Sequence, residues 1–205
     1  GQAPEPIAKN LGEFSELIKA KGNIAAGLAT DGDADRIGLF NSKGEFVDSH
    51  HIMLLLMHYL HKTKGLSGKV VVAASTTPRV ERLAKMWGLD FDMVQIGFKY
   101  IAGQMVTEDV LVGGEESGGI AIKGHIPERD GIWVGLIIME FMAKTGKSLK
   151  ELIEEVYEIV GPFDFDRDDL HISEAQKSAI IQYCQEGKLT RIGNSEVLET
   201  QTVDG

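Results

Sequence analysis

The chain has 205 residues, 43% of them apolar and 25% charged, and its 21 Lys and Arg against 31 Asp and Glu leave a net charge of −10 at pH 7. That apolar fraction builds a core against chain entropy and excludes intrinsic disorder, while the acidic balance excludes a reader of the nucleic-acid backbone, which needs a basic stripe. One cysteine, Cys184, excludes an internal disulfide and points to a reducing, cytoplasmic setting, and the longest apolar run, Ile52 to Met57, falls far short of the ~18 residues of a membrane span.

No signal peptide opens the chain. Gly1 at the start and Val203-Asp204-Gly205 at the end read as cuts in a longer protein. Leu11, Phe14, Leu17 and Ile18 recur at helical spacing and stop at Gly22. Ile24 to Thr30 reads as a buried strand, Asp31 to Arg36 as a polar interruption, and Ile37 to Phe40 as a strand that returns through Glu45 to Val47. A helix is predicted from Ser49 to Lys62, and a strand buried on both faces from Lys69 to Ala74. Thr77 and Pro78 start a helix that ends at Gly88. A strand over Phe91 to Ile96, a helix from Phe98 to Glu108, and short strands at Val110 to Val112 and Ile120 to Ile122 follow. Two helices, Asp130 to Lys144 and Ser148 to Val160, close the region. Beyond Gly161-Pro162 come a charged strand (Phe163 to His171), a helix (Ser173 to Glu186) and a last strand (Glu196 to Val203). Alternating strands and helices give an α/β fold, with a domain boundary at Gly161.

Two loops carry chemistry. In DGDADR, Asp31, Asp33 and Asp35 alternate directly after a strand, so their carboxylates can converge on one hard cation, Mg²⁺ by its preference for oxygen. A calcium EF-hand loop is excluded, because Arg36 stands where glycine is required, Ser42 where a bidentate glutamate is required, and a strand precedes the loop. The bland alternative is a solvated acidic turn. Arg36 fits either an ion pair within the loop or an anion held by the same metal.

The second loop, GGEESGG from Gly113 to Gly119, lacks the lysine and hydroxyl of a P-loop and the spacing of a dinucleotide fingerprint. Ser117 is not in a nucleophile elbow, since Glu115 replaces the glycine two residues before it. What remains is Glu115, Glu116 and Ser117 on a flexible backbone that allows close approach, a group suited to the vicinal hydroxyls of a sugar, or else a plain glycine-rich hairpin turn.

DGDADR followed by GGEESGG, together with IGFKYI (96–101) and PERDGIW (127–133), resembles the α-D-phosphohexomutase superfamily and, within it, the phosphoglucomutase/phosphomannomutase branch. The resemblance implies a three-layer, mixed-sheet domain over residues 43–161, flanked by the end of domain 2 (1–42) and the start of domain 4 (162–205). It implies an isomerase of carbohydrate metabolism that moves a phosphoryl group between a phosphoserine and a hexose phosphate through a hexose 1,6-bisphosphate. Glucose is the first choice of hexose and mannose the second. By the same resemblance Asp31, Asp33 and Asp35 hold Mg²⁺, and Gly114, Glu115 and Ser117 bind the sugar. Gly97, Phe98 and Lys99 form a substrate-facing loop, Arg129 meets the substrate phosphate, and Arg36 contacts the phosphoserine side. The family's Ser-His-Asn-Pro loop and its Arg-x-Ser-Gly-Thr loop are absent from this sequence. No catalytic nucleophile is therefore assigned, and the chain alone is expected to be inactive, with the missing domains of the same polypeptide as its partners. A phosphoglucosamine mutase is the nearest rival, although its sugar loop typically carries Gln and His where Glu116 and Gly119 stand here. A non-catalytic metal- or ligand-binding domain is the rival from another class.

Other residues read as structural. His50, His51, His58 and His61 are expected on a polar helix face, and Met53, Met57, Met139 and Met142 in the core. Glu151, Glu154, Glu155 and Glu158 read as a solvated face, Trp87 and Trp133 as packing residues, and His125 as either a loop-packing or a substrate-reaching group.

Overall fold

The computed structural model describes residues 4–167 and 171–200. The chain divides into two compact units, Gly1–Phe163 and Asp164–Gly205. The first opens with α1 (Gly12–Lys21), which Gly22 ends in the left-handed conformation. An antiparallel sheet follows, with β1 (Ala26–Thr30), β2 (Ile37–Asn41) and β3 (Phe46–Val47) in the order β1-β2-β3. Phe14 of α1 meets Phe40 edge to face at 5.3 Å, and Phe40 meets Phe46 at 5.3 Å, which fixes the helix on the sheet. The pairing runs from Ala26↔Asn41 to Thr30↔Ile37, so residues 31–36 form the tip of a hairpin.

The second sheet holds β4 (Lys69–Ala73), β5 (Phe91–Val94), β6 (Val110–Gly114) and β7 (Ile120–Ile122) in the order β5-β4-β6-β7. β4 is parallel to β5 and β6, and β6 is antiparallel to β7. Helix α3 (Pro78–Met86) connects β4 to β5, and α4 (Phe98–Thr107) connects β5 to β6. The two crossovers step along the sheet in opposite directions. Right-handed connections therefore set their helices on opposite faces.

Burial alternates along β4 accordingly. Val70 and Val72 join the larger core with α2 (Ser49–Met57), α3, α5 (Gly131–Thr145) and α6 (Leu149–Val160), whereas Val71 packs with Phe98 and Ile101 of α4. The result is the expected α/β architecture, a mixed sheet between helical layers. The loops after β5 and β6 leave the carboxyl ends of parallel strands, where open α/β sheets bind ligands.

Several expectations need correction. Helix α2 lies wholly inside, as a helix that is apolar nearly all round must. The histidines therefore do not form a polar face. His50 is fully buried, and its Nδ1 accepts from the Thr77 N–H at 3.2 Å. His51 lies between Asp48 Oδ1 at 2.9 Å and the Tyr157 hydroxyl at 2.7 Å, stacked on Phe163 at 4.3 Å. His58 stacks on Phe141 at 5.5 Å, and His61 meets the Leu66 carbonyl at 2.8 Å.

The predicted helix to Lys62 is α-helical only to Met57. Residues 58–63 widen into a π-helical turn, with the Lys64 N–H donating to the Tyr59 carbonyl at 2.9 Å. The wider turn keeps Tyr59 and Leu60, neighbours in sequence, both inside. Met139 is 38% exposed on the outer face of α5, unlike Met53 and Met57, which are fully buried.

In the second unit, α7 (Glu174–Gln185) begins with a capping box in which Ser173 and Gln176 exchange hydrogen bonds, and β8 (Arg191–Ile192) pairs with β9 (Ser195–Glu196). Residues 163–167 form no strand, and the rest of the predicted Phe163 to His171 strand is either irregular or outside the described residues. The last predicted strand is only Ser195–Glu196 in its described part, and residues 201–203 lie outside. Among the described residues, no helix is long and apolar enough to cross a membrane.

The buried histidines make stability depend on pH. Burial pushes the His58 imidazole below its ordinary range, Lys147 and Lys62 push it further, and its buried Nδ1 has no hydrogen-bond partner. A histidine depressed in the folded state gives stability that is complete above the unfolded value, near 6.5, and lost as the pH falls through the folded value. Denaturant unfolding is expected to show stability falling from pH 7 to 5, with His58 contributing at most about 1.4 kcal/mol per pH unit. His58→Leu flattens that slope. An unchanged slope in the variant would show that His58 is not held neutral by the fold.

Candidate functional site

The tip of the β1–β2 hairpin turns through Ala34, a non-glycine residue in the left-handed region (φ 62°), with the Ala34 N–H donating to the Asp31 carbonyl at 3.3 Å. This turn gathers the carboxylates. Asp31, Asp33 and Asp35 each offer an oxygen within 4.8 Å of the others, and they run from buried (Asp31) through half-buried (Asp35) to exposed (Asp33). Asp31 accepts from the Arg36 backbone N–H at 3.1 Å and from Arg36 Nε at 2.6 Å. Arg36 is thus an ion-pair partner within the loop, and it also reaches Glu5 at 3.4 Å.

Burial alone would raise the Asp31 carboxyl, but the Arg36 hydrogen bonds and charge hold it below the usual carboxylate range. Asp35 moves the other way. Burial and the charges of Asp31 and Asp33 raise it against the pull of Arg129, whose Nη2 lies 2.6 Å from Asp35 Oδ2. Three converging carboxylates, one of them lifted by its neighbours' charge and all offering hard oxygen donors, fit a small divalent cation.

The second loop is the tip of the β6–β7 hairpin, and the backbone joins it to the first. Arg36 and Gly119 form an antiparallel bridge, and the Ile37 N–H donates to the Gly118 carbonyl at 3.1 Å. Gly118 has φ +95°, and a Cβ there would stand 2.7 Å from the Ile37 carbonyl oxygen, so the approach requires glycine. Gly114 ends β6, buried beside Met53 of α2. Glu115 is 7% exposed, and its Oε1 accepts from the Gly97 N–H at 2.9 Å. Burial lifts its carboxyl above the usual range, aided by Asp35 and Glu116 and opposed by the Gly97 N–H and Arg129. Ser117 is half-buried at the tip.

The remaining predicted residues divide. Gly97 and Phe98 open α4 beside Glu115, and the Arg129 guanidinium lies 5.2 Å over the Phe98 ring. Arg129 therefore touches both the loop after β5 and the aspartate loop. Lys99 is exposed, with Nζ 4.8 Å over the Tyr100 ring, and among the described residues it pairs with no carboxylate. It is the one predicted member that no contact ties to the others.

Two supports escaped sequence reasoning. Ser49, the first residue of α2, donates from Oγ to the Glu116 carbonyl at 2.6 Å and holds the second loop. Asp130 caps α5 by accepting from the Trp133 N–H at 2.8 Å, and it also takes His125 Nε2 at 2.9 Å. His125 stacks on Trp133 at 4.8 Å, which makes it a loop-packing residue. Asp130 before an apolar helix is a legible capping signal, whereas nothing local to Ser49 indicates a partner 67 residues away.

Comparisons with known proteins agree with this geometry. Residues 48–160 match the family model for phosphoglucomutase/phosphomannomutase, alpha/beta/alpha domain III. A phosphoglucomutase/phosphomannomutase of Thermococcus kodakarensis is 32% identical over 153 residues, covering 75% of this chain and 33% of that protein. A phosphoglucosamine mutase of Moorella thermoacetica is 36% identical over 136 residues, covering 66% of this chain and 30% of that protein. The crystal structure of a candidate phosphomannomutase from Thermus thermophilus superposes with a TM-score of 0.73 at 38% identity, covering 77% of this chain and 36% of that one. The chain spans about a third of the length of the curated relatives it matches. With the family model covering more than half of its length, the chain belongs to the phosphoglucomutase/phosphomannomutase family within the α-D-phosphohexomutases.

Proposed function

We propose that this chain carries the metal-holding and sugar-holding loops of a cytoplasmic phosphohexomutase that interconverts hexose 1-phosphate and hexose 6-phosphate, with glucose the preferred hexose and mannose the second. The observation that carries this reading is the antiparallel bridge between Arg36 and Gly119, which makes the aspartate loop and the glutamate–serine loop neighbours in one cleft. In the family's terms, residues 1–42 belong to domain 2, 43–161 to domain 3 and 162–205 to domain 4.

Asp31, Asp33 and Asp35 would hold Mg²⁺, which when bound supplies positive charge to a phosphoryl group in transfer. The chain's own residues bind and orient the sugar. Glu115 spends one carboxylate oxygen on the Gly97 N–H, and its other oxygen accepts from sugar hydroxyls. Ser117 adds a hydroxyl that both donates and accepts. A clamp of one carboxylate and one hydroxyl grips a pair of neighbouring hydroxyls without enclosing the ring, so the sugar can be held in either orientation as a bisphosphate turns over. Arg129 presents a planar fork suited to a phosphate, and Arg36 carries positive charge on the aspartate side of the same cleft. Glucosamine phosphate is the second reading of the substrate, favoured by the phosphoglucosamine mutase likeness. The single residues Glu116 and Gly119 speak for glucose.

Calorimetry tests these roles. Glu115→Ala is expected to weaken glucose 1,6-bisphosphate binding by tenfold or more, the equivalent of a charge-assisted hydrogen bond of about 1.5–3 kcal/mol, with Mg²⁺ affinity unchanged. Asp33→Asn is expected to do the reverse. If both variants bind the bisphosphate and the metal as the unaltered chain does, the site is misassigned, and binding of the metal without the sugar would support the non-catalytic reading. None of the ten serines lies in a Ser-His-Asn-Pro context. A coupled mutase assay on the 205-residue chain is therefore expected to give no turnover, and sustained turnover would show that another group serves as nucleophile.

A further inference from the structure

Arg129 reaches the cleft by a route that depends on Gly119. Its stem crosses the face of the glycine, and a Cβ built on Gly119 overlaps Arg129 Cδ. The guanidinium then continues over the Phe98 ring, 5.2 Å away, to Asp35 Oδ2 at 2.6 Å. The same Cβ would stand 3.4 Å from Glu115 Oε2, so the glycine floors both the cation and the sugar-binding carboxylate.

The backbones on either side of this crossing are fixed. Gly119 is bridged to Arg36, and its carbonyl accepts from the Glu115 N–H at 3.0 Å. Across from it, the Asp130 N–H donates to the Ile120 carbonyl at 3.3 Å, and the Gly131 N–H donates to the Ala34 carbonyl at 2.9 Å. Asp130 is fixed further as the cap of α5 and by His125. With both chains held, an added methyl group can be relieved only by swinging the arginine stem. A swing near Cδ carries the guanidinium off Phe98 and Asp35.

We propose that Gly119 is a positioning residue that steers the Arg129 guanidinium into the cleft, where it meets the phosphate of the hexose phosphate. The inference rests on the reading of the site given above and deepens it. The hairpin needs no glycine at 119 for its backbone, because the left-handed conformation belongs to Gly118. The need at 119 is for space alone, and the group that uses the space is the arginine.

Two measurements on the 205-residue chain test this. In nitrogen-15 NMR, the Arg129 side-chain resonance, identified by its loss in Arg129→Ala, is expected to be shifted by the Phe98 ring and protected by Asp35. In Gly119→Ala it is expected to collapse to the position of a free arginine while the backbone spectrum stays dispersed. Calorimetry with glucose 1,6-bisphosphate then gives a double-mutant cycle. Gly119→Ala is expected to weaken binding about tenfold in the unaltered chain, yet less than twofold in the Arg129→Ala background, because the glycine acts through the arginine. An unmoved Arg129 resonance, or an equal loss of affinity in both backgrounds, overturns the steering role. If the unaltered chain binds no bisphosphate, the functional reading fails, and the NMR result still decides whether Gly119 steers Arg129.

Discussion

The structure depends on a main-chain junction between two hairpin tips. The β1–β2 tip carries three aspartates and the β6–β7 tip carries Glu115 and Ser117, and the hairpins belong to different sheets. The Arg36–Gly119 bridge and the Ile37 to Gly118 hydrogen bond fasten them, while the Gly131 to Ala34 bond ties the start of α5 to the same tip. Each such bond adds only about 1 kcal/mol net. Their value is geometric, because carboxylates of different function must stay within one cleft although they repel one another. Backbone bonds do this without occupying the side chains.

The electrostatics follow from that junction. Bringing Glu115 and the aspartates together concentrates negative charge on an already acidic chain, and the fold answers with two arginines in different roles. Arg36 pairs within its own loop and lowers Asp31, while Arg129 arrives from the segment before α5 and opposes the rise at Asp35. The carboxylates are therefore not equivalent. Asp31 is anchored by a short local pair, and Asp35 is balanced by a longer-range one that also touches Phe98.

What could be read from sequence was local. The two tips were legible because a buried apolar strand stands on each side of a polar or glycine-rich break, and Thr77, Ser148 and Ser173 marked helix starts through the usual capping chemistry. The histidines misled because polarity by residue type ignores partners. Asp48, Tyr157 and the Thr77 N–H satisfy His51 and His50 inside the core. The charged stretch after Pro162 suggested a strand from Phe163 and Phe165 at alternating positions, but the pattern alone supplies no neighbour to pair with. The hydrogen bond from Ser49 to Glu116 and the route of Arg129 over Gly119 join residues distant in sequence, and no local pattern encodes them.

The π-helical turn at residues 58–63 has a consequence for how this segment tolerates changes in length. An α-helix advances about 100° per residue, and the wide turn absorbs one residue that a regular helix would have rotated out of phase. Removing a residue here would restore regular winding at the cost of phase. Everything after the cut would turn by about 100°, and the side of the helix now presenting Tyr59 and Leu60 inward would swing toward the side of Lys62. The short link to Lys69 would then have to take up the mismatch before β4 begins. Chain length between Met57 and Lys69 is therefore set by the phasing of a helix against the central strand, and is not free to drift as in an ordinary surface loop.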